Sequence, residues 1–149
     1  MNHPGEIGYL TGIARPTVAL VTNAQRAHLE GMGSLEAVAR EKGSIYDGLG
    51  SDGVAVVNAD DPQAGLWRSM NAGRRVVSFG LDAAADVHGT VRLHGLENEL
   101  QFTTPEGAGA ADLALPGLHN ARNALAAIAA TFAAGVPLAA IDRSEEHTS

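Results

Sequence analysis

The sequence predicts an α/β fold in which an incomplete doubly wound, mostly parallel sheet carries a small appended antiparallel sheet of three strands. Near-continuous apolar runs at 17–22 and 54–57 are typical of strands that are buried on both faces. A segment with helical spacing lies between these runs, and the alternation of strand and helix continues to residue 79. Such alternation indicates a parallel sheet with helices packed on its faces.

Local signals place the elements of the first half. Pro4 suits the first position of a helix, and Pro16 ends that helix because proline restricts the residue before it. Ser34 is a good N-cap for the next helix, which Gly50 can end. The predicted elements are, in order, helix 4–13, strand 17–22, helix 34–49, strand 54–57, helix 62–70 and strand 75–79.

The pattern changes between residues 86 and 115, where apolar and polar positions alternate. Turn-forming residues at 95–98 and 105–109 interrupt this alternation, so we expect three antiparallel strands here. An alanine-rich helix over 120–134 follows, and Gly135 is its predicted C′ residue. The apolar stripe of this helix consists of Leu125, Ile128 and Phe132.

Composition restricts the classes of function. The 149 residues carry a net charge of −7, which argues against a nucleic-acid partner that requires a basic face. There is no cysteine, which excludes disulfides and thiolate metal sites. No apolar run reaches the ~18 residues of a membrane span, and the N-terminus lacks the features of a signal peptide. We therefore expect a cytoplasmic protein without a membrane span.

Lys42 is unusual because it stands in the middle of a predicted apolar stripe that runs along helix 34–49. In one interpretation its stem packs against the core and its ammonium reaches water. In the other, partial desolvation lowers the pKa of the amine, which then can be neutral and reactive. The residues that make up the rest of the stripe are Leu35, Val38, Ile45 and Leu49.

Other polar residues have a structural and a functional interpretation. His28 follows a buried strand, at the end of the sheet where α/β proteins bind ligands, but it can equally be an exposed loop residue. Asn120 can be a helix N-cap, and Asn123 an inert surface residue. Asp60 or Asp61 can cap the helix at 62–70. The chain has no G-x-x-x-x-G-K-S/T phosphate loop and no G-x-S-x-G motif, so the residues alone indicate only a ligand edge near His28.

Five segments, in order and spacing, resemble the central, ATP-binding domain of the Mur ligases. The resemblance covers residues 1 to 141, and its first two segments resemble the family member that adds D-alanyl-D-alanine. The five segments are Asn-His-Pro-Gly-Glu-Ile at 2–7, Ala-His-Leu-Glu-Gly-Met-Gly-Ser at 27–34, Lys-Gly-Ser-Ile at 42–45, Asn-Ala-Asp-Asp at 58–61 and Pro-Gly-Leu-His-Asn-Ala-Arg-Asn-Ala-Leu-Ala-Ala at 116–127.

The resemblance implies an ATP-dependent ligase of peptidoglycan synthesis. ATP would phosphorylate the terminal carboxylate of UDP-MurNAc-tripeptide, and the amine of D-alanyl-D-alanine would displace the phosphate. By position, Lys42 matches the lysine that the family carbamylates, and His28 matches a ligand of one of two Mg²⁺ ions. Asn120 and Asn123 match asparagines near the adenine. The resemblance assigns no contacts to Asn2, His3, Glu30, Asp60 or Asp61.

The chain also departs from the family. Residues 1–141 are expected to form a partial central domain that lacks the phosphate-loop part, which predicts that this piece of a monomeric ligase is inactive alone. Residues 142–149 are all polar, and 143–149 resemble translated sequencing adapter, so we expect no function there. The alternatives are a sister Mur ligase, a folylpolyglutamate-type synthase or a non-catalytic nucleotide-binding module. The segment at 2–7 argues against the first two.

Overall fold

A computed structural model of the chain describes residues 17–22, 35–94, 97–113 and 117–141. Its strands form one six-stranded sheet in sequential order, which confirms the predicted mixed α/β fold. The first four strands run parallel to one another, and the pairs formed by the fourth with the fifth and the fifth with the sixth are antiparallel. The strands are β1 (Val18–Val21), β2 (Val54–Asn58), β3 (Arg75–Gly80), β4 (Val87–His94), β5 (Glu97–Thr104) and β6 (Gly107–Leu113).

The antiparallel part is continuous with the parallel part, because β4 belongs to both. It pairs in parallel with the end of β3, where Phe79 lies opposite Val87, and antiparallel with β5 from His88 to His94. The predicted alternation is therefore confirmed, and the three strands extend the main sheet. The turn between β5 and β6 consists of Pro105 and Glu106, whereas the turn between β4 and β5 lies outside the described residues.

Helices cover both faces of the sheet. Alternate residues of β2 point to opposite sides: Val54 and Val56 join a core with the last helix, and Ala55 and Val57 join a core with the earlier helices. All four are buried, as expected of a strand covered on both faces. The helices are α1 (Leu35–Gly43), a 3₁₀ helix (Ser44–Gly48), α2 (Ala64–Met70) and α3 (Leu118–Ala133).

The helix predicted over 34–49 changes type at Gly43. A Cβ at this position would lie 2.7 Å from Sδ of Met70 on α2, so a side chain there would require Met70 to move. The Ser44 hydroxyl donates to the Glu41 carbonyl at 2.5 Å, and the chain continues as a 3₁₀ helix. Trp67, fully buried, donates from Nε1 to the Ala39 carbonyl at 2.9 Å and joins the two helices.

The last helix confirms the predicted stripe and corrects its start. Leu125, Ile128 and Phe132 are buried against the sheet, and Gly135 has a positive φ of 89°, as a C′ glycine should. The N-cap, however, is Gly117 and the helix begins at Leu118. The interpretation of Asn120 as an N-cap is therefore wrong, because this residue lies inside the first turn. None of the helices in the described ranges has the length and apolar character of a membrane span.

Candidate functional site

A pocket of about 230 Å³ opens at the carboxyl edge of the parallel strands. Its floor is formed by Asn58 and Phe79, at the ends of β2 and β3, and by Thr22 after β1, and the first two turns of α3 form one wall. Open α/β sheets bind ligands at this edge. The residues that line the pocket are Thr22, Asn58, Asp60, Asp61, Pro62, Phe79, His119, Arg122 and Asn123.

Asn58 holds the floor of the pocket together. Its side chain, only 5% exposed, donates from Nδ2 to the Thr22 carbonyl at 2.6 Å and so joins the ends of β1 and β2. Its Oδ1 accepts the backbone N–H of Asp60 at 2.9 Å. This tight turn orients the two carboxylates that follow.

Asp60 and Asp61 accept hydrogen bonds from different parts of the backbone. Asp60 accepts backbone N–H groups of the loop after β3, at 2.7 Å from Leu81 and 2.8 Å from Ala83. Burial raises the pKa of Asp60, but these hydrogen bonds and Arg122 outweigh burial, so the net shift of the pKa is downward. Asp61 accepts the backbone N–H of Gln63 at 2.8 Å, in the turn before α2. Helix α2 begins at Ala64, two residues later than predicted.

Lys42 is half-buried on α1, and at 3.6 residues per turn it lies between Val38 and Ala39 on the face that packs inward. The buried residues of this helix are Val38, Ala39, Glu41 and Gly43. Burial lowers the pKa of the Lys42 ammonium, and the negative charge of Asp61 partly opposes this shift. Because Asp61 lines the pocket, the charge of the pocket wall acts on Lys42.

His119 and Asn123 lie one turn apart on α3, with His119 Nε2 and Asn123 Nδ2 separated by 3.3 Å. Both side chains are exposed and line the pocket. Asn120, the other predicted asparagine, is half-buried and does not line it. An amide and an imidazole provide the hydrogen-bonding groups that a nucleobase requires.

His28, Glu30, Asn2, His3 and the tail at 142–149 lie outside the described residues. Within the described ranges, no cluster of three or more His, Asp or Glu side chains could hold a metal ion. Asp61 offers the oxygen ligand that Mg²⁺ prefers, but a lysine ammonium cannot bind a cation.

The family model for the Mur ligase middle domain matches residues 1–131 of this chain. The chain belongs to the Mur ligase middle-domain family. Its fold agrees with that of MurF from Acinetobacter baumannii, a solved structure with a TM-score of 0.92 and 34% sequence identity. That match covers 100% of this chain and 33% of the other chain.

Two curated relatives show how closely this Mur ligase domain resembles different members. It is 42% identical over 142 residues to the UDP-N-acetylmuramoyl-tripeptide–D-alanyl-D-alanine ligase of Escherichia coli, covering 94% of this chain and 31% of the relative. It is 40% identical over 126 residues to the UDP-N-acetylmuramate–L-alanine ligase of Arthrobacter, covering 82% of this chain and 26% of that enzyme. The chain thus spans about a third of the length of its relatives.

Sequence reasoning did not assign several residues that form the pocket, notably Thr22, Phe79 and Arg122. The sequence did contain a signal for the first two, because they lie at the carboxyl ends of predicted parallel strands, where α/β sheets bind ligands. Arg122 gave no such signal. Its position follows only from the packing of α3 against the sheet.

Proposed function

We propose that these residues form the nucleotide-binding centre of an ATP-dependent ligase that adds D-alanyl-D-alanine to UDP-MurNAc-tripeptide in peptidoglycan synthesis. The observation that carries the proposal is the convergence of two distant segments that resemble the family. Members of both segments line one pocket although the segments are far apart in sequence: Asn58, Asp60 and Asp61 from the first, and His119, Arg122 and Asn123 from the second. The greater coverage of the match to the E. coli ligase favours this member over its sister enzymes.

The pocket suits the adenosine part of ATP better than its phosphates. Asp60 and Asp61 together carry more charge than Arg122 neutralises, so the wall would repel a triphosphate. Asn123 can read the edge of the base, and the negative carboxylate of Asp61 can accept hydrogen bonds from ribose hydroxyls. We assign the adenine contact to Asn123 and not to Asn120, because only Asn123 lines the pocket.

Lys42 would act at the phosphate end of the nucleotide, as a ligand of the metal ion. Carbamylation joins the neutral amine to CO₂ with loss of one proton, and converts a cation into an anionic oxygen ligand. Partial burial favours the neutral amine that this reaction requires. We propose that carbamylated Lys42 and His28 bind Mg²⁺, which when present would offset charge on the phosphates.

The proposed reaction proceeds in two steps. The terminal carboxylate of the tripeptide attacks the γ-phosphorus of ATP, which releases ADP and leaves an acyl phosphate. The amine of D-alanyl-D-alanine then attacks the acyl carbon, forming the amide bond and releasing phosphate and a proton. Because the chain spans a third of its relatives, we expect activity only in the longer protein that contains these residues, here called the parent ligase.

Phosphate release by the parent ligase tests the proposal. We expect release when ATP and Mg²⁺ are combined with UDP-MurNAc-tripeptide and D-alanyl-D-alanine, and none when UDP-MurNAc and L-alanine replace these substrates. Lys42→Ala serves as the inactive control. Preference for UDP-MurNAc and L-alanine would identify a sister ligase, and ATP binding without turnover of any pair would indicate a non-catalytic nucleotide module.

A further inference from the structure

The Asp60 carboxylate contacts two other parts of the chain, the loop after β3 and helix α3. Three consecutive backbone N–H groups of the loop after β3 point at its carboxylate: Leu81 donates to Oδ2 at 2.7 Å, and Asp82 and Ala83 donate to Oδ1 at 3.1 and 2.8 Å. From α3, Nε of Arg122 lies 3.8 Å from Oδ2. The side chain is only 7% exposed, so these contacts are shielded from water.

These partners belong to different parts of the pocket. Asp60 follows β2, its three N–H donors follow β3, and Arg122 belongs to the helix that carries His119 and Asn123. One carboxylate therefore links the loops after β2 and β3 to the wall that we assign to the base. With both oxygens engaged by the protein, Asp60 is poorly suited to bind a metal ion, although a carboxylate at this edge of a sheet would suggest that role.

Gly80 provides independent support for the tight fit of this carboxylate. A Cβ added to Gly80 would lie 3.0 Å from Asp60 Oδ1 and 3.3 Å from the Ala83 carbonyl oxygen. Any side chain at position 80 would therefore push against the carboxylate or the loop that it binds. The absence of a side chain at Gly80 allows Asp60 to reach all three donors.

We infer that Asp60 is a positioning residue for ATP: it fixes the loop after β3 and the start of α3 so that the pocket matches the nucleotide. This inference rests on the proposed function. It predicts that loss of the Asp60 contacts weakens ATP binding specifically, without changing the use of D-alanyl-D-alanine or the requirement for Mg²⁺.

Asp60→Asn in the parent ligase is the direct test. The amide has nearly the same shape, but its NH₂ group must face at least one backbone N–H, donor against donor. We expect the KM for ATP to rise about tenfold, the effect of losing one charge-assisted hydrogen bond. The KM for D-alanyl-D-alanine should stay within about twofold of wild type, and so should the Mg²⁺ concentration that gives half-maximal activity.

Gly80→Ala gives a second, steric route to the same effect, and it keeps the inference testable if Asp60→Asn fails to fold. Gly65→Ala on α2 is the matched control, because a Cβ there would meet nothing within 4 Å. We expect a raised KM for ATP in Gly80→Ala and an unchanged KM in Gly65→Ala. A melting temperature for each variant shows whether folding has changed.

The results separate the inference from the proposed function. If the wild-type parent ligase shows no ATP-dependent ligation, the proposed function is wrong. If it is active and neither variant raises the KM for ATP more than twofold, Asp60 does not position the nucleotide, even if kcat and the melting temperature fall. A raised Mg²⁺ requirement with an unchanged KM for ATP would instead make Asp60 a metal ligand and overturn the inference.

Discussion

Replacing Asn58 with alanine should lower the free energy of unfolding, because it removes two hydrogen bonds at the floor of the pocket. The mutation removes the donor to the Thr22 carbonyl at 2.6 Å and the acceptor of the Asp60 N–H at 2.9 Å. An unsatisfied buried polar group costs about 1–3 kcal/mol. Asn58 is 5% exposed, but Thr22 is exposed and Asp60 is half-buried, so water can reach the two groups that lose their partner. The free energy of unfolding should therefore fall by about 1–3 kcal/mol, the net value of two ordinary hydrogen bonds.

Urea unfolding of the 149-residue chain can measure this change through tryptophan fluorescence. The chain has one tryptophan, Trp67, and it is fully buried, so its emission reports on the core. Asn123→Ala is the matched control, since the side chain is exposed and its loss should change stability by no more than about 0.5 kcal/mol. A loss below about 1 kcal/mol for Asn58→Ala would refute the argument that these two hydrogen bonds hold the strand ends.

Three further changes test other parts of the account. In the parent ligase, Lys42→Arg should reduce ligation as severely as Lys42→Ala, about 100-fold or more, and bicarbonate should not rescue it, because a guanidinium cannot be carbamylated; near wild-type turnover of the arginine variant would show that Lys42 is only a packed stem. His28→Ala should raise the Mg²⁺ concentration required for activity, and an unchanged requirement would remove His28 from the metal site. The lowered pKa of Asp60 means that its stabilising contribution is fully present above the unfolded pKa of about 3.9 and is lost as the pH falls through the lower folded pKa; Asp60→Asn should therefore be less stable than wild type at neutral pH, and this difference should shrink in acid, as urea unfolding at each pH will show.

Much of the fold follows from local patterns. The apolar runs of β1 and β2 predicted strands that are buried on two faces, and the alternation after residue 86 predicted strands with one covered face. The stripe of Leu125, Ile128 and Phe132 fixed the face of α3 that packs on the sheet. These signals arise from neighbouring residues, so they can be read from sequence.

The predicted helix boundaries were wrong where features other than apolar spacing determine them. At Gly43, where α1 gives way to the 3₁₀ helix, the side chain of Met70 packs closely against the backbone, although Met70 is 27 positions away in the sequence. The start of α3 at Leu118 and not at Asn120 depends on Gly117, whose φ of 110° favours glycine. Neither effect appears in the spacing of apolar residues.

The candidate site also contains some residues that the sequence could identify and others that it could not. Lys42 could be singled out because a lysine among apolar positions is unusual, although the influence of the Asp61 charge on its pKa could not be predicted. Asn58 and Asp60 looked like residues of an ordinary turn. Their importance depends on partners from β1, the loop after β3 and α3, which only the folded chain brings together.

A crystal structure of the parent ligase with ADP and Mg²⁺ tests the central claim most directly. We predict that the adenine lies in the pocket between the ends of the parallel strands and α3, within hydrogen-bonding distance of Asn123. We also predict that Lys42 Nζ carries a carbamate that faces the metal. ADP bound elsewhere, with the pocket at Asn123 empty, would contradict the assignment of this site to the nucleotide.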